Sequence, residues 1–272
     1  MMRRLILAIL LIFVCGALKV EGQTCTLTVT TLNFGNYTGA QLDGTAAGVV
    51  TCAGGWTIPM YTGAGVGATE TTRYMTALGG AELSYELFQN AGRTTNWGDT
   101  DATDLAGNGN ANITVYGLIL PNQTVAPGTY TDTMTTATTS FTVTAFIPAT
   151  CTISATTLNF GNYSGVLINA TSALTVNCTN KTVFDIGLDA GTATGATVTN
   201  RSMTGPGGAL LGYKLFSNSG RTTNWGNTVG TDTLQETGTG MGVQYTVYGQ
   251  LPAGQFVTVG TYTDTIIATV TY

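Results

Sequence analysis

Four cysteines at one repeated spacing are the residues of this chain best suited to covalent chemistry. Cys25 and Cys52 lie 27 positions apart, and so do Cys151 and Cys178. With no histidine in the chain and no C-x-x-C, a metal site is a weak reading of these cysteines. In an exported chain an even set implies disulfides, paired here as Cys25–Cys52 and Cys151–Cys178. Each closed loop is expected to stabilise its domain by roughly 3–4 kcal/mol in the chain-entropy account. The lack of histidine also removes the usual base for a serine or cysteine nucleophile. Asp99, Asp101 and Asp104 sit in a Gly/Asn-rich stretch that hints at calcium, but the flanking glutamate of an EF-hand loop is absent and solvated turns explain them as well. Carboxylates for glycoside hydrolysis are few. No enzyme activity and no cofactor are expected.

The amino end reads as a secretory leader over residues 1–22. Arg3 and Arg4 precede the apolar run 5–14, and small residues Val20 and Gly22 stand before a cut at Gln23. That run is shorter than the roughly 20 residues a membrane-spanning helix needs. Cys15 raises a lipoprotein alternative, but Ile12-Phe13-Val14 is a poor lipobox. Cleavage at Gln23 leaves 6 basic against 13 acidic residues. Such a chain has no basic patch, so no nucleic-acid partner is expected. Charged residues are 8 % of the whole, and threonine, glycine, asparagine and alanine dominate, as on an extracellular β-protein with threonine on exposed strand faces. N-x-[ST] sites such as Asn36 and Asn112 would mark a eukaryotic glycoprotein, but arise by chance in so Thr/Asn-rich a chain.

The chain is a duplication. Cys25-Thr-Leu through Leu32-Asn33-Phe34-Gly35-Asn36-Tyr37 returns as Cys151-Thr-Ile through Leu158-Asn159-Phe160-Gly161-Asn162-Tyr163. Arg93-Thr-Thr-Asn-Trp97-Gly returns as Arg221-Thr-Thr-Asn-Trp225-Gly, Val115-Tyr116-Gly as Val247-Tyr248-Gly, and Gly128-Thr-Tyr-Thr-Asp132-Thr as Gly260-Thr-Tyr-Thr-Asp264-Thr. A shift of about 126–132 residues is a repeated domain, too long for a solenoid unit. Short alternating or β-branched runs, near 26–30, 48–52, 56–61, 83–89, 113–120 and 129–137, are separated by Gly, Asn and Pro turns. The expected fold is all-β: two tandem immunoglobulin-like β-sandwiches, residues 23–148 and 149–272.

Between the repeats runs S-F-T-V-T-A-F-I-P-A-T-C, residues 140–151. Phe141, Val143, Ala145 and Ile147 fall on one face of a strand, and Pro148 ends it. The segment reads as an internal donor strand completing the first sandwich; an interdomain linker is the alternative, though linkers are usually polar or Pro/Gly-rich. The second repeat has no such run after it. Its last stretch, with Ile266, Ala268, Val270 and Tyr272 alternating, is expected to be the edge that accepts a strand from another chain.

The paired C-T-[LI], L-N-F-G-N-Y, R-T-T-N-W-G, V-Y-G and G-T-Y-T-D-T motifs resemble the spore coat protein U domain family across nearly the whole chain after residue 22. That family includes pilins of the archaic chaperone–usher pathway. The resemblance implies a periplasmic chaperone that lends the missing strand, an outer-membrane usher, and a next subunit whose extension replaces the chaperone's strand. Only Gln23-Thr24 precede Cys25 after the expected cut, too short to donate, so the expected role is a subunit that only receives. That places it at a pilus tip, exported to the cell surface, with the first domain as an adhesin for an abiotic or host surface or in biofilm. A structural coat or shell protein built from the same domains is the alternative, and a secreted carbohydrate-active enzyme a more distant one.

Up-and-down strand counting puts three connections, 53–56, 89–111 and 137–140, at the outer end of the first domain. Gly54, Gly55 and Trp56 have no counterpart in the second repeat, which carries Asn180, Lys181 and Thr182 there. They are the candidate surface-contact residues, with Leu105 and Ile113 as weaker additions. The alternative is that Trp56 starts a strand and packs inward. Trp97 and Arg93 recur as Trp225 and Arg221, and so read as structural.

Overall fold

The computed structural model describes residues 25–272 and carries no strand-free domain: it is β-structure throughout, with one 3-10 turn at Pro206–Gly208. The expected leader, residues 1–22, and Gln23-Thr24 lie outside the described residues.

The first repeat contains β1 (Thr26–Val29), β2 (Leu32–Asn36), β3 (Leu42–Thr51), β4 (Gly55–Ile58), β5 (Arg73–Thr76), β6 (Glu82–Phe88), β7 (Leu105–Asn108), β8 (Ala111–Ile119), β9 (Gly128–Thr135) and β10 (Ser140–Ile147). Eight of these join in the order β1-β3-β8-β6-β5-β9-β10-β2, and β4 pairs with β7. Buried and exposed residues alternate along β3 and β9, as the period-two pattern requires when one face meets a core. Residues 32–36, 42–47, 73–76 and 105–108 are strands that the alternation count leaves out, because β2 is interrupted by Asn and Gly, β3 is Gly/Ala-rich, and β5 and β7 are only four residues long.

The second repeat contains β11 (Cys151–Ala155), β12 (Ile168–Cys178), β13 (Val183–Leu188), β14 (Arg201–Thr204), β15 (Leu210–Phe216), β16 (Leu234–Thr237), β17 (Gly242–Leu251) and β18 (Ala268–Thr271). They form the sheets β11-β12-β17-β15-β14 and β16-β13-β18. The two repeats thus form tandem sandwiches of immunoglobulin-like build.

Both are held by the same buried staples. Arg73 is fully buried and donates to the carbonyls of Tyr61, Glu70, Met60 and Trp97. Arg201 repeats this on Asp189, Val198, Leu188 and Trp225. Burial lowers both guanidinium pKa values, and the four carbonyl acceptors compensate the lost hydration. Trp97 and Trp225, each fully buried, donate from the indole to Ile58 and Ile186 carbonyls. Arg93 and Arg221 take left-handed backbone angles, φ 52° and 54°, and cap the carbonyls of Gly117 and Gly249. Arg93 also pairs with Asp43 at 3.2 Å, whereas Arg221 lies over the Tyr248 ring, 5.6 Å from its centroid.

Candidate functional site: a filled and an open strand groove

In the first repeat β10 is the strand that closes the sandwich. A tight turn, Thr136 N–H to Thr139 carbonyl at 2.8 Å, reverses the chain after β9. β10 then runs antiparallel to β9 in unbroken register, Ser140 opposite Thr135 through Ile147 opposite Gly128. Its other edge lies parallel to β2, with Val143 opposite Leu32 and Thr144 opposite Asn33, and Tyr37 N–H donates to the Phe146 carbonyl at 2.9 Å. Phe141, Val143, Ala145 and Ile147 all enter the core, while Phe146 stays half exposed. Burying the four side chains stabilises the domain by on the order of 5–9 kcal/mol as an upper figure. Under β10, Leu32 and Phe34 lie against Gly44 and Gly117, a cross-strand pair. A Cβ on Gly117 would stand 2.6 Å from the Phe34 ring, so that close approach requires glycine.

The second repeat has the same walls without that strand. Residues 158–162 match β2, yet among the described residues they form no ladder. Leu32, Phe34 and Tyr37 are 0, 5 and 2 % exposed, whereas Leu158, Phe160 and Tyr163 are only half-buried. Residues 260–267 match β9, but pair only at Thr263 with Thr204. Between these two walls run two hollows of about 540 and 490 Å³, sharing Leu158, Phe160, Met203 and Tyr262. Tyr213, Leu215 and Val247 form the floor of the larger one.

The expected acceptor edge divides here. Ile266 and Ala268 line the hollow. Val270 lies beyond it on β18, opposite Ile186 of β13, and Tyr272 is 58 % exposed at the end of that run. The difference is physical: after 267 the chain continues straight onto β13 instead of turning back as it does at Thr136. The groove's edge is therefore 260–268, and its other wall is 158–163. That second wall is the L-N-F-G-N-Y repeat, whose apolar Leu158, Phe160 and Tyr163 are only half-buried.

A tyrosine–carboxylate pair sits at the floor of both grooves. The Tyr85 hydroxyl donates to Asp132 at 2.7 Å, and Tyr213 to Asp264 at 2.7 Å. Burial, with the neighbouring carboxylate second, pushes both phenols well above the ordinary tyrosine range. Asp132 is 4 % exposed on β9, beside β10. Asp264 is partly open; burial pulls its pKa up, but hydrogen bonds from Thr192, Tyr213 and Thr265 outweigh this and hold it below the usual carboxylate value.

Cys25 is bonded to Cys52 and Cys151 to Cys178, with Cα–Cα distances of 4.4 and 4.1 Å. Each bond ties the start of an edge strand to the end of its neighbour. At the outer end of the first domain, where β3 and β9 end and β8 and β10 begin, the contact residues stand differently from expectation. Trp56 is half-buried in β4, its ring covers Gly107 across the ladder, and its indole donates to the Gly109 carbonyl at 2.8 Å. Leu105 and Ile113 also pack on the core. The glycines on this edge provide room for the Trp56 ring, so the ring turns inward. Gly54 accepts from Gly109 N–H at 2.9 Å, and Gly55 is exposed. Among the described residues no three His, Cys, Asp or Glu side chains converge as metal ligands. Asp99 lies beside Glu70, and their interaction lowers the Glu70 pKa and raises that of Asp99.

The first sandwich is closed by β10, a strand with no counterpart among the described residues of the second, which presents the same walls uncovered. The chain belongs to the Spore Coat Protein U domain family, whose pattern matches residues 13–137 and again 137–269. Protein U of Myxococcus xanthus is 37 % identical over 129 residues, 43 % of this chain and 72 % of that protein. A solved chain from the CsuC–CsuE chaperone–tip adhesion subunit pre-assembly complex, of the archaic chaperone–usher Csu pili of Acinetobacter baumannii, has a similar fold. It aligns over 92 % of this chain and 100 % of that one, with TM-score 0.51 and 14 % identity.

Proposed function

We propose that this chain is an exported pilus subunit of the archaic chaperone–usher kind, acting at the fibre tip, with residues 23–148 as the attaching domain and 149–272 as the pilin domain that receives a strand. In this reading residues 1–22 are the leader, and the strand comes first from a periplasmic chaperone. After passage through an outer-membrane usher, the strand comes from the next subunit. One observation carries the proposal: two copies of one sandwich, the first filled by β10 and the second presenting the same walls uncovered. The first groove, occupied from within, has no place for a further strand, which suits a subunit that receives at one point only. The fold shared with the CsuE complex chain supports the tip assignment. The attaching surface is the outer end of the first domain, which carries Ala53, Gly54, Gly55, Asn110 and the 136–139 turn. These groups are small and hydrogen-bonding, and suit polar contact with an abiotic or host surface during biofilm formation.

A synthetic peptide of residues 139–150 tests the strand reading, because the groove it would enter repeats the lining of its own: Leu158 for Leu32, Phe160 for Phe34, Tyr213 for Tyr85, Tyr262 for Tyr130. Saturable binding to the chain, with slowed amide exchange at 158–163 and 260–267, is the expected result. No binding, together with amides there already protected in the chain alone, would sink it. The likeness to Protein U favours a second reading, a structural coat protein; a chain purified as a stable monomer that ignores both peptide and chaperone would support that instead.

A further inference from the structure

The end of the second sandwich away from its disulfide exposes five large apolar residues at positions where the first repeat has smaller or polar ones, although Leu78 and Leu120 are exposed at that end of the first. Val166, Leu167, Leu210, Phe256 and Val259 are 61, 51, 49, 99 and 96 % exposed. Their counterparts by repeat alignment are Ala40, Gln41, Glu82, Thr124 and Pro127. The five belong to one end. Ile168 faces Leu251 at the limit of the β12–β17 ladder, so Leu167 and the chain after Leu251 leave the sheet together. Gly254 N–H then bonds the Gly165 carbonyl at 2.9 Å, and Leu210 starts β15 opposite Thr204. The first repeat makes the same loop bond, Asn122 N–H to Gly39 at 2.8 Å. Exposed large apolar residues scattered singly need no explanation; five grouped at one end do.

The first repeat shows what such an end meets. Its loops face the second repeat across a cleft lined by Gly39, Asn122 and Thr124 on one side and Thr179, Asn180 and Gly240 on the other. A Cβ on Gly240 would stand 3.3 Å from the Thr124 methyl group. That proximity follows from the connection: β10 ends at Ile147 and β11 begins at Cys151, so the domain that owns the strand's continuation is tethered by three residues to the end where the strand leaves. A strand entering the second groove in the same direction brings its own folded domain to Phe256 and Val259. We infer that Val166, Leu167, Leu210, Phe256 and Val259 form a seat for the folded domain that carries the strand filling the second groove. The partner is a protein domain with an apolar patch beside its strand. The inference rests on the strand-acceptor reading above.

The threefold variant L167Q, L210E, F256T places the first repeat's own residues at this end and leaves Val259, which also lines the smaller hollow, in place. F256S alone serves as a milder form. Two probes are compared: the synthetic 139–150 peptide, which has strand but no domain, and fibres purified from cells, in which the chain is held by strand and domain together. The expected result is unchanged peptide affinity and at least tenfold faster release of the chain from variant fibres in denaturant. Equal release rates would overturn the seat and leave strand acceptance standing. A wild-type chain that dimerises in sedimentation through this end, and a variant that does not, would assign the patch to a second copy and also overturn it. Absence of peptide binding to the wild-type chain would remove the strand reading and this one with it.

Discussion

The two repeats differ at one strand, and the consequences spread across half a sandwich in the second. With β10 present, residues 32–36 and 128–135 are full ladder strands and their apolar side chains are buried. Without it, residues 158–162 and 260–267 keep the same sequence motifs but lose the ladder, and Leu158, Phe160 and Tyr262 only half-cover the core. The other sheet, β11-β12-β17-β15, hardly changes from β1-β3-β8-β6. Strand content in this fold is therefore cooperative between neighbouring strands, as expected when each strand's backbone groups depend on the next strand for partners.

The sharpest way to break the comparison is to spoil the filled groove. Val143 is fully buried, and Val143→Asp leaves a carboxylate without a partner in the core; a loss of about 4 kcal/mol or more is expected. Amide exchange should then rise at 32–37 and 128–135 to the level of 158–163 and 260–267. Slow exchange in the variant would show that β10 is not what orders its neighbours. Next in size, Arg73→Met or Arg201→Met leaves four carbonyls without donors, a cost of roughly 2–4 kcal/mol in either repeat. Chemical denaturation followed by each domain's buried tryptophan, Trp97 or Trp225, reads this out. Replacing Cys151 and Cys178 by alanine is expected to cost about 2–4 kcal/mol in the second repeat alone, seen as an earlier transition for Trp225 than for Trp97.

Protonation sharpens the contrast further. Tyr85 and Tyr213 have raised folded pKa values, so their contribution is complete below the unfolded tyrosine value of about 10 and falls as pH climbs above it. Tyr85→Phe and Tyr213→Phe should flatten that alkaline loss in their own domains. Asp264 has a lowered folded pKa, so its contribution is present above the unfolded aspartate value of about 3.9 and is lost as pH falls through the folded value. Asp264→Asn should remove the acid-side slope from the second repeat; an unchanged slope in thermal melts at pH 2–5 would show that another carboxylate sets it. The smallest effect is at Trp56. With its ring on Gly107 and its indole bonded, Trp56→Ala should destabilise the first domain by about 1–3 kcal/mol, with any loss of surface attachment following that destabilisation.

Much of this was legible in the residues. The duplication, the all-β class and the alternation of Phe141, Val143, Ala145 and Ile147 required only period-two reading. The short strands β5 and β7 were not, since four residues carry too little pattern and Arg73 in a core position reads as polar surface. Trp56 illustrates the limit most clearly. Its flanking glycines are visible, but that they and Gly107 make room for the ring depends on which strand lies opposite, a register no single segment encodes. The same holds for the groove's second wall: Leu158 and Phe160 are apolar in any reading, but their shared edge with a missing neighbour appears only once β2 is seen beside β10.

Pro148, Ala149 and Thr150 join the closing strand of one domain directly to the bonded cysteine pair of the next. A pull on the second domain is thus delivered to β10 along its own axis, across the perpendicular hydrogen bonds to β9 and the slanted ones to β2. Loaded in this way, the rungs share tension side by side and must give together, whereas a strand peeled from its end would lose them one at a time. The junction of the two domains is built as a shear joint, strongest against traction along the length of the molecule.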